Sequence, residues 1–370
     1  MAKKRTLKDT GKTKSKAILP LILAALLSCS LVGSAYAIGS PFLRKDLMVQ
    51  QWMRLCEAHP QYAGYESIGK TVLGQNIYMF KIGTPSAPRI MYDGEVHATE
   101  DAGTEVMYTF AKWLLESGDI RATKILQTTY HLFIPVVNRD IYGAKTNANG
   151  VDLNRNGVYG WAQSGSGDPS DANYRGPSAG SEPETQALRS AWQKWQPKFY
   201  INTHHGYHFA GHVSNTALEQ QVMSLYKQKA SAMGANDPYT SGQIAGGGLL
   251  ATDADMSFGI SGWLWEVLRW QDLVVIQGAT NDPKIAAQML TTKVYDDAFP
   301  LLLSFAEVAH VHDIKEDGII DIYDALLLAA AYNSTPSSPN WNPNADINGD
   351  GIVNVYDALL IASQYNQHYP

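Results

Sequence analysis

The segment Arg89-Ile90-Met91-Tyr92-Asp93-Gly94-Glu95-Val96-His97-Ala98-Thr99-Glu100 runs a short apolar stretch straight into a turn that carries two metal-capable side chains. A four- to eight-residue apolar run that ends at a glycine reads as a buried strand. The i, i+3 spacing of His97 and Glu100 on the turn after it aims both side chains at one point. Outward from this segment, similar runs occur at 130–137, 199–203 and 262–268. Helical periodicity at 103–116, 182–195, 216–233 and 283–308 separates them, and loops rich in Gly, Ser and Asn fill 147–180 and 239–255. Strands alternating with helices predict an α/β domain, with a mixed, largely parallel sheet flanked by helices.

A catalytic zinc takes three protein ligands and keeps one open position. Ligands to such a site gather at the carboxyl ends of strands in an open α/β sheet. His97 and Glu100 supply two, and His205 in Ile201-Asn202-Thr203-His204-His205-Gly206-Tyr207 supplies a third just beyond another strand. The His-His pair leaves the register open by one. With His205 as the ligand, His204 faces the opposite side of the strand.

Seven pieces of the chain, in order over about 250 residues, resemble the carboxypeptidase A-like zinc carboxypeptidase family. They are Ile68 to Gly74, the His97/Glu100 pair, Asn138-Arg139-Asp140, Gly150-Val151-Asp152-Leu153-Asn154-Arg155-Asn156, Tyr174 to Pro177 with Ser181 to Thr185, His205-Gly206-Tyr207, and Trp263-Leu264-Trp265-Glu266. The resemblance implies a carboxypeptidase fold and one catalytic zinc held by His97, Glu100 and His205. Glu266 is then the general base, and desolvation beside its apolar neighbours would raise its pKa. Asn154 and Arg155 match positions that grip the substrate's terminal carboxylate, a task suited to the guanidinium fork. Asp152 matches the hydrogen-bond partner of the first zinc histidine.

The chain departs from the family at three places. Lys145 stands where the family usually has an oxyanion-stabilising arginine, Thr99 replaces another arginine, and 242–248 offers Gln243 or Ile244 for the lid tyrosine. Tyr207 and Tyr239 are replacement candidates for substrate contact. Asp253 or Asp255 is the candidate acid for the pocket of the departing side chain. Glu182 and Glu184 read as helix N-terminal acids without chemistry.

After His312 the character changes. Asp313-Ile-Lys-Glu-Asp-Gly-Ile-Ile-Asp-Ile-Tyr-Asp324 recurs 33 positions later, from 313 to 346, as Asp346-Ile-Asn-Gly-Asp-Gly-Ile-Val-Asn-Val-Tyr-Asp357. Each copy precedes an apolar helix, at 325–332 and 358–365. Asp346, Asn348, Asp350, the Ile352 carbonyl, Asn354 and Asp357 occupy the ligand positions of an EF-hand-type calcium loop. Asp313, Asp317, Asp321 and Asp324 do so in the first copy, where Lys315 takes one ligand position. The tandem resembles a dockerin module, a small α-helical calcium-loop unit, and implies one or two structural Ca2+ ions and a cohesin-type receptor. A calcium-stabilised cap without a partner is the alternative.

The N-terminus reads as a secretion signal. Lysines and Arg5 precede an apolar run over 17–32 that ends at Ala35-Tyr36-Ala37, the expected cleavage point. Lipidation at Cys29, or retention of the run, would instead tie the chain to a membrane. After cleavage Cys56 is the only cysteine, so an internal disulfide is excluded. A net charge of −6, with no basic patch beyond the leader, argues against nucleic acid. The expected organisation is therefore signal peptide 1–37, catalytic domain 38–310 and calcium module 311–370. Its expected role is a secreted or surface-associated carboxypeptidase acting on peptides. A related amide hydrolase of cell-wall or side-chain-linked peptides, or a silent calcium-dependent attachment protein, are the alternatives.

Overall fold

The computed structural model describes residues 45–269 apart from 215–216, 234, 236–238 and 245, residues 298–309, and 314–365 apart from 316–318, 336, 343–344 and 348–351. The secretion signal, the helix expected before 298, and Asp313, Asp317, Asn348 and Asp350 lie outside the described residues.

In chain order the elements of the larger region are α1 (Lys45–Ala58), β1 (Ala63–Lys70), β2 (Asn76–Gly83), β3 (Arg89–Asp93), α2 (Ala102–Glu116), α3 (Ile120–Thr128) and β4 (Tyr130–Ile134). There follow α4 (Pro183–Trp195), β5 (Phe199–Gly206), β6 (Phe209–His212), α5 (Ala217–Met233), β7 (Thr240–Gln243), α6 (Leu250–Phe258), β8 (Ser261–Arg269) and α7 (Phe299–Val308). The strands form one sheet in the order β1-β2-β4-β3-β5-β8-β6-β7. Its centre, β4-β3-β5-β8, is parallel and consists of the four strands expected from their apolar runs. β1 and β2 add antiparallel at one edge. β6 pairs antiparallel with β8 and carries β7 at the other edge. The two outermost strands, β1 and β7, are half-exposed or mostly exposed, so they lack the apolar signature of the buried centre.

Both faces of the sheet are covered. On one side Trp52 of α1, Phe110 of α2, Tyr226 of α5 and Phe305 of α7 pack against Phe199 and Ile201 of β5 and Trp263 and Trp265 of β8. On the other, Leu188 and Trp192 of α4 and Leu250 and Ala254 of α6 pack on Tyr200. Alternate residues of β5 therefore enter different cores, as the period of two requires. Burying side chains of this size contributes about 1.5–3 kcal/mol each, so the parity of β5 is firmly set.

The C-terminal region holds α8 (Ile322–Ala331) and α9 (Val355–Gln364), packed through their own cluster that includes Ile314, Leu328, Ile347 and Ile361. Both helices begin three residues earlier than their apolar pattern suggested. The reason is a capping box: Asp321 accepts from the Tyr323 N–H at 2.7 Å while Asp324 accepts from the Asp321 N–H at 2.8 Å. Asn354 and Asp357 repeat it at 2.8 and 2.7 Å. A side chain that satisfies the first orphan N–H groups lets polar residues open a helix.

Candidate metal centre

The turn after β3 is pinned before it carries any ligand. Gly94 N–H donates to Ile134 O, Val137 N–H to Gly94 O and Asn138 N–H to Glu95 O, each at 3.0 Å. Glu100 N–H then closes on His97 O at 3.0 Å. Both ligand side chains consequently converge. His97 Nδ1 stands 2.9 Å from Glu100 Oε1 yet makes no hydrogen bond of adequate geometry. Two candidate ligand atoms thus face each other at close range.

The third member of the cluster is His204, whose Nδ1 lies 2.7 Å from Glu100 Oε2. The candidate ligand atoms of His97, Glu100 and His204 all fall within 4.8 Å of one another. This corrects the expectation for His205. In β5, Tyr200, Asn202 and His204 share one face, whereas His205 follows Phe199, Ile201 and Thr203 to the other. Burial pushes the His205 imidazole down to about 4, against an opposing pull from Glu100.

Both candidate histidines are held from behind. Asp152 Oδ1 accepts from His97 Nε2 at 2.9 Å, which in the neutral ring makes Nδ1, facing Glu100, the ligating atom. Asn202 Oδ1 is 2.6 Å from His204 Nε2 and does the same for that ring. Asn202 Nδ2 in turn donates to the buried Asp93, which also accepts from the Tyr200 hydroxyl at 2.6 Å. Burial raises Asp93 to about 6 although these bonds favour its ionised form. Sequence reasoning missed Asn202 and Asp93. Their signal was the same two-residue parity that selects His204.

Burial disfavours charge on His97, but the hydrogen bond to Asp152 and the nearby Glu100 carboxylate outweigh that and raise it to about 9. Burial likewise opposes ionisation of Glu100 and Asp152. The charge of His204 and the two imidazole contacts hold Glu100 well below the usual carboxylate range, and His97 with Lys145 brings Asp152 to about 2. A nitrogen-nitrogen-oxygen set with an ionised carboxylate suits zinc.

Glu266 lies in β8 directly opposite His204 in the parallel register, so both point to the same face. Its Oε2 is buried without a hydrogen-bond partner, and its carboxylate accepts from the Tyr207 N–H. Burial raises its pKa and the charge of Glu100 adds to this, while His204 opposes it. The expected rise is present, but Trp263 and Trp265 face the opposite core and anchor the strand instead of lining the carboxylate.

The remaining expected residues group around the ligands. Lys145 Nζ reaches Asp152 Oδ2 at 2.8 Å and Asn173 Oδ1 at 2.6 Å, so its charge is directed at the carboxylate behind His97. Asn154 Nδ2 is 3.1 Å from His204 Nε2 and its Oδ1 accepts from Leu250 N–H at 3.1 Å. Arg155 donates to Asn154 O at 2.8 Å. The Tyr207 side chain is 70% exposed. Asp253 is consumed by Arg189, the Tyr159 N–H and Ser257, and Asp255 by Ser214 and the Gly262 N–H. Glu182 and Glu184 sit at the start of α4 as expected, but both also accept from Asn147, which ties the Asp152 loop to the helix.

A glycine seam closes one side. Gly157 N–H donates to Gly248 O at 2.8 Å, and Gly248 N–H to Tyr159 O at 2.7 Å. A Cβ on Gly247 would stand 2.1 Å from Gly160 O. The loop where a lid tyrosine was sought is therefore laced backbone to backbone onto 157–160.

The profile of the zinc carboxypeptidase family matches residues 49–259, more than half of the chain. The chain belongs to the zinc carboxypeptidase family. A dockerin type I profile matches residues 311–365. Carboxypeptidase B of Bos taurus is 30% identical over 166 residues, 38% of this chain and 39% of that protein. A metallocarboxypeptidase A-like protein of Trichophyton verrucosum (strain HKI 0517) is 26% identical over 222 residues, 50% of this chain and 52% of that one. The chain thus aligns with about two fifths to one half of these relatives. Carboxypeptidase A from Helicoverpa armigera shares the fold, with a TM-score of 0.57 at 18% identity over 77% of this chain and 82% of that one. Zinc is the metal of this carboxypeptidase family, and the donor set described above fits it.

Proposed function

We propose that this zinc carboxypeptidase releases C-terminal residues from peptides, using one zinc held by His97 Nδ1, the Glu100 carboxylate and His204 Nδ1. The convergence of these atoms within 4.8 Å carries the reading. When bound, zinc supplies a Lewis acid and lowers the pKa of water toward about 7. Glu266, made a stronger base by burial, takes the proton of the attacking water and passes it to the departing amine. Asp152 and Asn202 keep the two imidazoles in the ligating tautomer. Arg155, with Asn154, offers the donors for the substrate's terminal carboxylate. Lys145 holds Asp152 in place behind His97.

One observation favours a second reading, hydrolysis of cell-wall or side-chain-linked amides. The Asn154 Oδ1 is engaged by Leu250 N–H and its Nδ2 is packed 3.1 Å from His204 Nε2, so the carboxylate grip rests on Arg155. The organisation we infer is a leader at 1–37, a catalytic domain at 38–310 and a dockerin-like module at 311–370. The module would hold calcium and dock the secreted enzyme to a cohesin-type receptor, consistent with the dockerin match. Among the described residues no helix is long and apolar enough to cross a membrane.

Zinc analysis of the purified protein, with mass-spectrometric digestion of a mixed peptide library, tests the reading. One zinc and stepwise loss of C-terminal residues, both abolished by a chelator, is the expected result. An active zinc-free preparation overturns the mechanism, and cleavage confined to side-chain-linked amides selects the second reading.

A further inference from the structure

Glu95, two residues before His97, holds a left-handed backbone at φ 49° although it carries a side chain. Such a conformation persists only where the surroundings over-determine it. Its carboxylate is buried, 2% exposed, and faces Lys45 Nζ at 3.2 Å. The Thr104 hydroxyl lies beside it with its proton given to Pro135 O, and the charge of Asp101 lies nearby.

Lys45 is equally buried and opens α1, where a cation meets the unfavourable end of the helix dipole. Its ammonium is satisfied from elsewhere, by Glu95, by Asn138 O and by Ile141 O at 2.8 Å. Asn138 is the residue whose N–H binds Glu95 O and whose side chain donates to Thr146 O at 3.0 Å, next to Lys145. One ammonium group therefore joins α1, the turn that presents His97 and Glu100, and the loop that carries Lys145. A buried ion pair is weak evidence for stability alone, because desolvation offsets its attraction. A strained backbone locked by such a pair beside two ligands points to geometry.

We propose that Lys45 is a positioning residue that, through Glu95, holds the His97/Glu100 turn in its ligating conformation. The proposal rests on the zinc reading above. It is tested by measuring zinc affinity of the purified protein by competition with a chromophoric chelator, alongside melting temperatures with and without zinc. Lys45→Met, which leaves a buried carboxylate uncompensated, is expected to weaken zinc binding about 10–100-fold, the range seen when a group behind a metal ligand is lost. Lys45→Arg keeps the charge and should lose under about tenfold. Lys45→Met with Glu95→Gly strands no charge but leaves the turn unheld, so zinc affinity should stay below wild type; full recovery would assign the loss to the stranded carboxylate and overturn the proposal.

Equal zinc affinity in the wild type and Lys45→Met, with both melting temperatures lowered alike, makes the pair merely structural and overturns the proposal. If Lys45→Met does not fold, Lys45→Arg and Glu95→Gln decide on the same readout, unchanged affinity in both being the overturning result. A wild-type protein that binds no zinc overturns the metal site itself, and the proposal with it.

Discussion

The metal centre and the C-terminal repeats solve the same problem, gathering oxygen and nitrogen around a cation, in opposite ways. In each repeat the candidate ligands lie within twelve consecutive residues, and the described ones, Asp321 and Asp324 or Asn354 and Asp357, bond the same backbone groups in both copies. The centre instead draws on β3, β5 and β8 and the 152–155 loop, separated by about fifty or more residues. A site built locally is specified by spacing. A site built by convergence is specified by which way each strand turns its side chains, and a shift of one residue exchanges ligand for core.

The sharpest way to break that contrast is to remove the base without touching the ligands. Glu266→Gln should retain zinc while kcat/KM falls about 10²–10⁴-fold, and near-normal turnover would move the base elsewhere. In the wild type, the acid limb of kcat/KM should lie above the ordinary carboxylate range, because burial raises Glu266 and only its ionised form accepts the proton. Activity is full above that limb and falls as pH drops through it; a limb at the ordinary carboxylate value contradicts the burial argument.

The parity argument is tested by a neighbouring pair. His204→Ala should abolish measurable zinc binding, whereas His205→Phe should keep zinc affinity within a few-fold, as read by chelator competition. The reverse ranking would restore His205 as ligand. For the local sites, calcium titration followed by circular dichroism should show ordering of the C-terminal region in the intact protein, lost in Asp357→Ala. A flat response would favour a module without ions. The smallest effect expected is Asn354→Ala, which removes a helix cap and should cost about 1 kcal/mol in the calcium-free unfolding of that region.

Sequence made the parallel centre of the sheet legible because its strands are buried on both faces and read as unbroken apolar runs. The edges were not legible, since Thr240 to Gln243 is polar and mostly exposed and has no apolar run to mark it. Helix α6 was hidden in an expected loop by the glycines before it, and Asp253, a pocket candidate, proved to brace that helix through Ser257 and Arg189. His97, Glu100, Asp152 and Glu266 lie together, as the order of the motifs implied. Asn202 and Asp93 stayed invisible because a neutral amide behind a histidine leaves no mark except its alternation with His204.

The glycine seam between 157–160 and 246–248 limits what its own positions can hold. A Cβ added at Gly157, Gly160 or Gly247 would meet backbone of the facing segment, and one at Gly248 would meet the Ser164 side chain and Arg155 O, so any larger residue at these four positions forces the two segments apart.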